Sequence, residues 1–484
     1  MKWALAAAGI GAALGLGAWL RRAPDWALVL SALVVGFLPF VGLDHVSINP
    51  ISFELYRGES RGLEVTALDL LALALWVALP TPTQRTPYAF PRALYLLAIC
   101  ISAVLATRPL FSLFSVWKLV RMYGFLVVVV RAAMIPRVAA AMTSGVGIGV
   151  LFSCALALGQ RYSFGVTRPS GAFPHSNSLA MAANLALPIA FAIVLARPKT
   201  RLAAATALAA PVVVLLTLSR GAIVLTAVAL ATVLVGSLLR RPSRRKLGIA
   251  AIGALLGGAM LAKSWDTVVA RFSSAPSQSE EARLLFNQAA RAMLSDHPFG
   301  IGINQYSWVL ETAGYADRVG LAEIDRSGIA HHIYWLTAAE TGYFGLLAYL
   351  LLLLAPLLLA IRIAVRVKGL RGDIALGCAV AFGVTAAQGT AEWIARQTAM
   401  SYLFWLVAGL VAALARPSVS RWGAPIVSSR ERPSTKRIAT APRDGTAPAL
   451  PLVDASLSVP GGPDALALVP VVPGIAAGHS GSER

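Results

Sequence analysis

The chain has 484 residues, 57% of them hydrophobic and only 13% charged, with a mean hydropathy of +0.71, a balance that excludes an ordinary soluble domain. Its formal net charge of +20 does not point to a nucleic-acid partner, because the basic residues sit in short clusters between apolar stretches, as in a membrane protein whose basic loops stay on one side. The apolar runs are continuous rather than alternating, which excludes a transmembrane barrel and leaves an all-α polytopic protein set among membrane lipids.

In chain order the hydropathy predicts about thirteen spans: 3–20, 26–43, 63–80, 92–107, 110–130, 138–159, 177–196, 202–218, 221–239, 246–263, 342–365, 373–391 and 398–415. The first could be mistaken for a signal peptide, but Arg21 and Arg22 follow where a small-residue cleavage site should be. Residues 1–25 therefore read as an extra retained helix ahead of a transmembrane region over 26–263, and without it twelve spans remain. Cys100, Cys154 and Cys378 all fall inside apolar segments, which predicts buried thiols and no disulfide framework. Within span 110–130, Lys118 and Arg121 stand three residues apart on one face. Charges at bilayer depth cost at least a few kcal/mol, so this pair is expected to face either a substrate cavity or a counter-charge such as Glu392.

The densest basic cluster, Arg240, Arg241, Arg244, Arg245 and Lys246, marks the cytoplasmic side. Alternation then puts the clusters at Arg21, Arg131, Arg197 and Arg362 on that side too, and places segments 44–62 and 160–176 and a long loop over 264–341 outside. In the long loop the arginines Arg271, Arg283, Arg291, Arg318 and Arg326 are outnumbered by carboxylates, so an arginine there is not explained by generic basicity. Ser277 and Glu280 have capping-box spacing for a helix over about 279–295, on which Arg283, Asn287 and Arg291 recur every four residues and share a face. The alternative is a solvated face, which suits Arg291 better than Arg283. Residues 342–416 complete the membrane region, and 417–484, rich in Pro, Ala, Gly and Ser, read as a disordered cytoplasmic tail.

Several chemistries lack their residues. There is no Gly-Lys-Ser/Thr phosphate loop, no His-Glu-x-x-His metal site and no Asp-x-Asp pair of the kind that holds a metal on a nucleotide-sugar diphosphate. What the chain does carry is His297-Pro-Phe-Gly-Ile-Gly-Ile-Asn304, then Ala330-His-His-Ile-Tyr-Trp335 and Glu340-Thr-Gly-Tyr-Phe-Gly345. Outside the loop it has Arg168-Pro-Ser-Gly-Ala-Phe-Pro-His-Ser-Asn177 and Leu216-Thr-Leu-Ser-Arg-Gly221. These segments, in this order, resemble the O-antigen ligase/polymerase superfamily of bacterial membrane glycosyltransferases over roughly residues 90–415, with His332 standing where the family usually has Asn.

The resemblance implies a multi-pass protein of the bacterial inner membrane, with one large periplasmic loop and an active site facing the periplasm. It implies a polyprenyl diphosphate-linked glycan donor, a glycan or lipid A core acceptor, and a metal-independent, inverting transfer with no cofactor. Arg283 and Arg220 would hold the diphosphate and His331 would activate the acceptor hydroxyl, with Arg168, Asn177, Lys118, Arg121, Arg291, His332 and Glu340 as further substrate-binding candidates. Guanidinium groups suit a leaving diphosphate because they stay protonated and present a planar fork of donors. A flippase and a chain-length regulator are candidate partners. Polymerisation is preferred to ligation because the superfamily serves many polysaccharide pathways without a ligation step. A flippase identity is the alternative of another class, and it would leave the loop from Arg283 to His331 without a task. Glu392 and Arg396, four residues apart, suggest a simple helical ion pair, although Glu-Trp segments occur at this place in the family.

Overall fold

Two proline-initiated helices show how local chemistry sets the element boundaries. Pro109 and Pro136 each occupy a first helical position, where a missing N–H costs nothing. In the computed structural model, described over residues 1–416 except 57, 81–86, 198–199, 264, 267–268 and 270–276, the chain is helical throughout its apolar stretches. The described residues belong to the unit Met1–Ala424; the expected tail lies outside them.

The helices are α1 (Lys2–Leu20), α2 (Asp25–Phe37), α3 (Ala67–Ala78), α4 (Ala89–Leu105), α5 (Pro109–Ala133), α6 (Pro136–Tyr162), α7 (Ser176–Ala196) and α8 (Arg201–Thr217). There follow α9 (Arg220–Arg240), α10 (Arg244–Lys263), the loop helices α11 (Ser277–Asp296), α12 (Tyr306–Thr312) and α13 (Tyr315–Arg318), then α14 (Ile333–Arg366), α15 (Leu370–Gln388) and α16 (Thr398–Leu414). Among the described residues eight helices are long and apolar enough to cross a membrane and five more are apolar but shorter, which together match the predicted spans one for one. This is an all-α polytopic membrane architecture. The capping-box side chains expected at Ser277 and Glu280 lie outside the described residues.

α7 sits at the centre of the bundle, packed against α8, α9 and α15, whereas α10 touches little beyond α9 and is peripheral. Small residues set the closest approach. A Cβ on Gly36 of α2 would lie 2.0 Å from the Met142 carbonyl of α6, and one on Gly145 of α6 would lie 2.0 Å from the Leu33 carbonyl, so the two backbones touch as small-residue membrane interfaces allow. The buried-thiol expectation holds for Cys154 and Cys378 but not for Cys100, which lies on an outward face of α4; all three are free.

The long loop has an apolar core of its own, with Phe286, Ala290 and Met293 of α11 packed against Tyr306, Leu310, Ala330 and Leu336. It is locked to α14 by backbone contact. α14 breaks at Gly342 (φ 69°), and the Pro298–Gly302 turn lies in the break. Ile301 N–H donates to Ala339 O at 3.0 Å, Gly302 N–H to Glu340 O at 3.0 Å and Tyr343 N–H to Pro298 O at 3.1 Å. Gly300 has φ +89°, and a Cβ there would sit 2.4 Å from Glu340 O. The Pro298-Phe-Gly-Ile-Gly302 segment is thus a clamp that positions the loop.

Segments that charge alternation placed outside gather at one end of the bundle. Residues of 39–64, 172–175, 327–329 and 393–399 line a common cavity there. At the other end Arg240 pairs with Asp373 at 3.0 Å, and Arg245 and Lys246 donate to helix-end carbonyls, Val194 and Ser237 among them. Single cysteines at Ile324 and at Arg244, in a background lacking the native cysteines, should therefore react with an impermeant reagent from opposite faces of sealed vesicles. Labelling of both from one face would overturn this arrangement.

Candidate active site

α15 ends at Gln388, and Gly389 O accepts from Ile333 N–H at 2.9 Å while Tyr334 Oη donates to Ala386 O at 2.7 Å. These bonds dock the start of α14 beside the segment that leads to α16, and so bring His331 to Glu392. The Glu392 side chain is only 9% exposed. Its Oε1 accepts from Asn177 Nδ2 at 2.5 Å and lies 3.4 Å from Arg283 Nη2, while its Oε2 lies 3.4 Å from His331 Nδ1. Asn177 in turn accepts from Arg168 Nη2 at 3.0 Å, and Arg168 Nε donates to Thr217 O at 3.2 Å. That carbonyl lies at the end of α8, where Leu218 adopts the left-handed region (φ 52°). Such a conformation is costly for a branched side chain, and it turns the chain so that Arg220 opens α9.

Four predicted residues, Arg168, Asn177, Arg283 and His331, thus belong to one connected network, and Arg220 opens α9 three residues after the Thr217 carbonyl that Arg168 binds. Its hub is Glu392, which the sequence offered as a counter-charge or helical ion-pair partner and not among the site candidates. Glu392 was expected to pair with Arg396 along a helix, but residues 394–396 form a short 3₁₀ turn, and Arg396 turns away to Glu59 and Glu340 at 2.7 Å each. The usable signal was its position, an acidic residue between two spans on the side where the other motifs cluster.

The remaining candidates lie elsewhere. Arg291 stacks over the Trp335 ring at 4.6 Å, and His332 Nδ1 accepts from Trp335 N–H at 3.4 Å as the N-cap of α14. Burial, with Arg291 nearby, holds the His332 imidazole below its ordinary pKa, so it stays neutral and able to accept. The two adjacent histidines therefore differ in kind: His331 faces a carboxylate and His332 caps a helix.

Lys118, Arg121 and Glu340 are held in buried ion pairs that do not include Glu392. Lys118 Nζ is 3.7 Å from Glu59, and Arg121 reaches Glu64 at 2.7 Å and Asp69 at 2.5 Å. Glu340, 1% exposed, binds Arg396 and accepts from Tyr306 N–H at 3.1 Å. The counter-charges of Lys118 and Arg121 are thus Glu59, Glu64 and Asp69 rather than Glu392. Among the described residues no three His, Cys, Asp or Glu side chains come together as a metal site.

A family model described as O-antigen ligase matches residues 202–350. Over that stretch the chain is similar to the O-antigen ligase family. The matched stretch holds Arg220, Arg283 and His331, while the structure adds Arg168, Asn177 and Glu392 from outside it. The likeness supports membrane glycosyltransferase chemistry of the ligase/polymerase kind. No curated protein matches the sequence closely enough to add a relative.

Proposed function

We propose that this protein transfers glycan from a polyprenyl diphosphate carrier to an acceptor hydroxyl at the outer face of the bacterial inner membrane, and that it acts as a polysaccharide polymerase. The observation that supports this reading best is the joining of Arg283, His331 and the Arg168–Asn177 pair through one buried carboxylate, Glu392.

His331 Nδ1–H directed at Glu392 leaves Nε2 as the base, the arrangement by which a carboxylate fixes a tautomer and stabilises the imidazolium that forms. The acceptor oxygen attacks the anomeric carbon, the bond from that carbon to the diphosphate oxygen breaks, and its electron pair leaves with the lipid diphosphate. The hydroxyl proton passes to His331 Nε2. Arg220 and Arg283 neutralise the charge that develops on the leaving phosphate. Arg283 contacts Glu392 only loosely, at 3.4 Å through one nitrogen, and a guanidinium carries five N–H donors, so others remain for phosphate oxygens. A single displacement of this kind inverts the anomeric centre, and the two guanidinium groups supply the charge neutralisation that other transferases take from a divalent ion.

Deletion in the host, followed by analysis of lipid-linked glycans, tests this directly. A lost polymerase leaves single repeats on the carrier. Full-length chains held on the carrier would identify a ligase, and repeats trapped on the cytoplasmic face would identify a flippase.

A further inference from the structure

A cavity of about 960 Å³ opens beside the Glu392 centre, near the upper end of the ~300–1,000 Å³ typical of small-molecule sites. Three of its wall residues approach that centre from different parts of the chain: His175 is two residues from Asn177, Ile329 two from His331, and Trp393 directly follows Glu392. The outer segment that forms the opposite wall is held in place by strands β1 (Ser47–Ile48) and β2 (Val65–Thr66), which pair antiparallel. Asn304 secures it further, donating to Ser60 O at 2.8 Å and accepting from Ser60 N–H at 3.2 Å.

The charge on the cavity decides what it suits. Its carboxylates are Asp44, Glu54, Glu59 and Glu64. Its basic side chains are Lys2, Arg61, Lys118 and Arg121, so among the described lining residues the side-chain charges balance, and the α-amino group of Met1 adds one cation on the wall. At the floor they also neutralise one another, Lys118 with Glu59 and Arg121 with Glu64. At this floor a phosphate-bearing ligand meets no net positive field. A hydroxyl-rich neutral ligand finds acceptors and donors interspersed, and the half-buried Trp393 indole offers a flat apolar face for a sugar ring.

We infer that this cavity is the acceptor cleft and that it takes a neutral, phosphate-free oligosaccharide whose terminal hydroxyl reaches His331. The inference rests on the transferase reading above and adds the acceptor's chemistry. It disfavours a phosphorylated lipid A core as the bound part of the acceptor.

The test uses the full-length protein in lipid nanodiscs, with short neutral oligosaccharides released from the host's own surface polysaccharide as the probe. Saturation-transfer NMR on His331→Ala protein should show their binding without turnover, and Trp393→Ala or Asp44→Asn should weaken it about tenfold. In the transfer assay the same two variants should raise the acceptor KM by a similar factor and affect the donor KM much less. Unchanged binding in both variants, or tighter and salt-dependent binding of a phosphorylated oligosaccharide, would refute the cleft. Trp393-dependent sugar binding with no transfer by the unmodified protein would instead keep the cleft and sink the transferase reading.

Discussion

His331→Ala is expected to lower glycan transfer by about 10²–10⁴-fold, the usual contribution of a positioned general base, while the protein reaches the membrane in normal amount. The side chain is 28% exposed and, among the described residues, its one polar contact is the 3.4 Å approach to Glu392, so little packing is lost with it. Glu392→Gln should be nearly as damaging, because the amide keeps the size but cannot stabilise an imidazolium. The double variant should be little worse than either single one, since residues that act as a unit are strongly non-additive. Arg283→Lys should also be poor: an ammonium keeps the charge and loses the planar two-point grip on phosphate. His332→Ala is the control. It removes a helix cap, costs up to about 1 kcal/mol of stability and should leave most of the transfer rate. Measuring polymer length and membrane abundance for each variant decides the matter. A dead His332→Ala beside an active His331→Ala would move the base by one residue, and activity in both would remove histidine from the mechanism.

Arg396→Met should fail in a different way. Arg396 is 8% exposed on its side chain and bridges two buried carboxylates, Glu59 and Glu340, at 2.7 Å each. Removing the cation strands Glu340 and leaves Glu59 only Lys118 at 3.7 Å, and breaking a buried ion pair from one side costs about 3–5 kcal/mol. The expected result is loss of monodisperse, folded protein on detergent extraction and a much lower Tm, with activity falling only in proportion to the folded fraction. Glu340→Gln should be milder, because Arg396 keeps Glu59 and the amide oxygen can still accept from Tyr306 N–H. An Arg396→Met protein with normal Tm and no activity would show that this network serves chemistry and not structure.

The contrast between these two sets of variants follows from where each group sits, and only part of that was legible in the residues. Span number, span order and the clustering of Arg240 to Lys246 opposite the long loop came from hydropathy and charge, which are local properties that each segment carries wherever it is placed. The arginine and histidine candidates came from short motifs, equally local. Glycine was legible as well, but its role was not: Gly300 and Gly342 stood in segments read only for their resemblance, and they let two backbones interlock. Partner choice among the charged residues lay beyond sequence. Lys118 and Arg121 advertised a buried pairing through their depth in an apolar span, yet Glu59, Glu64 and Asp69 were three of many carboxylates that could have met them. Glu392 and Arg396 are neighbours along the chain and face different networks, because a 3₁₀ turn, not a helix, separates them. Asn177 and Glu392 are 215 residues apart and 2.5 Å apart in space. A charge in a low-dielectric interior must be paired, which the sequence can announce; which carboxylate pairs it depends on how α5, α7, α11 and α16 pack together, and that only the tertiary structure decides.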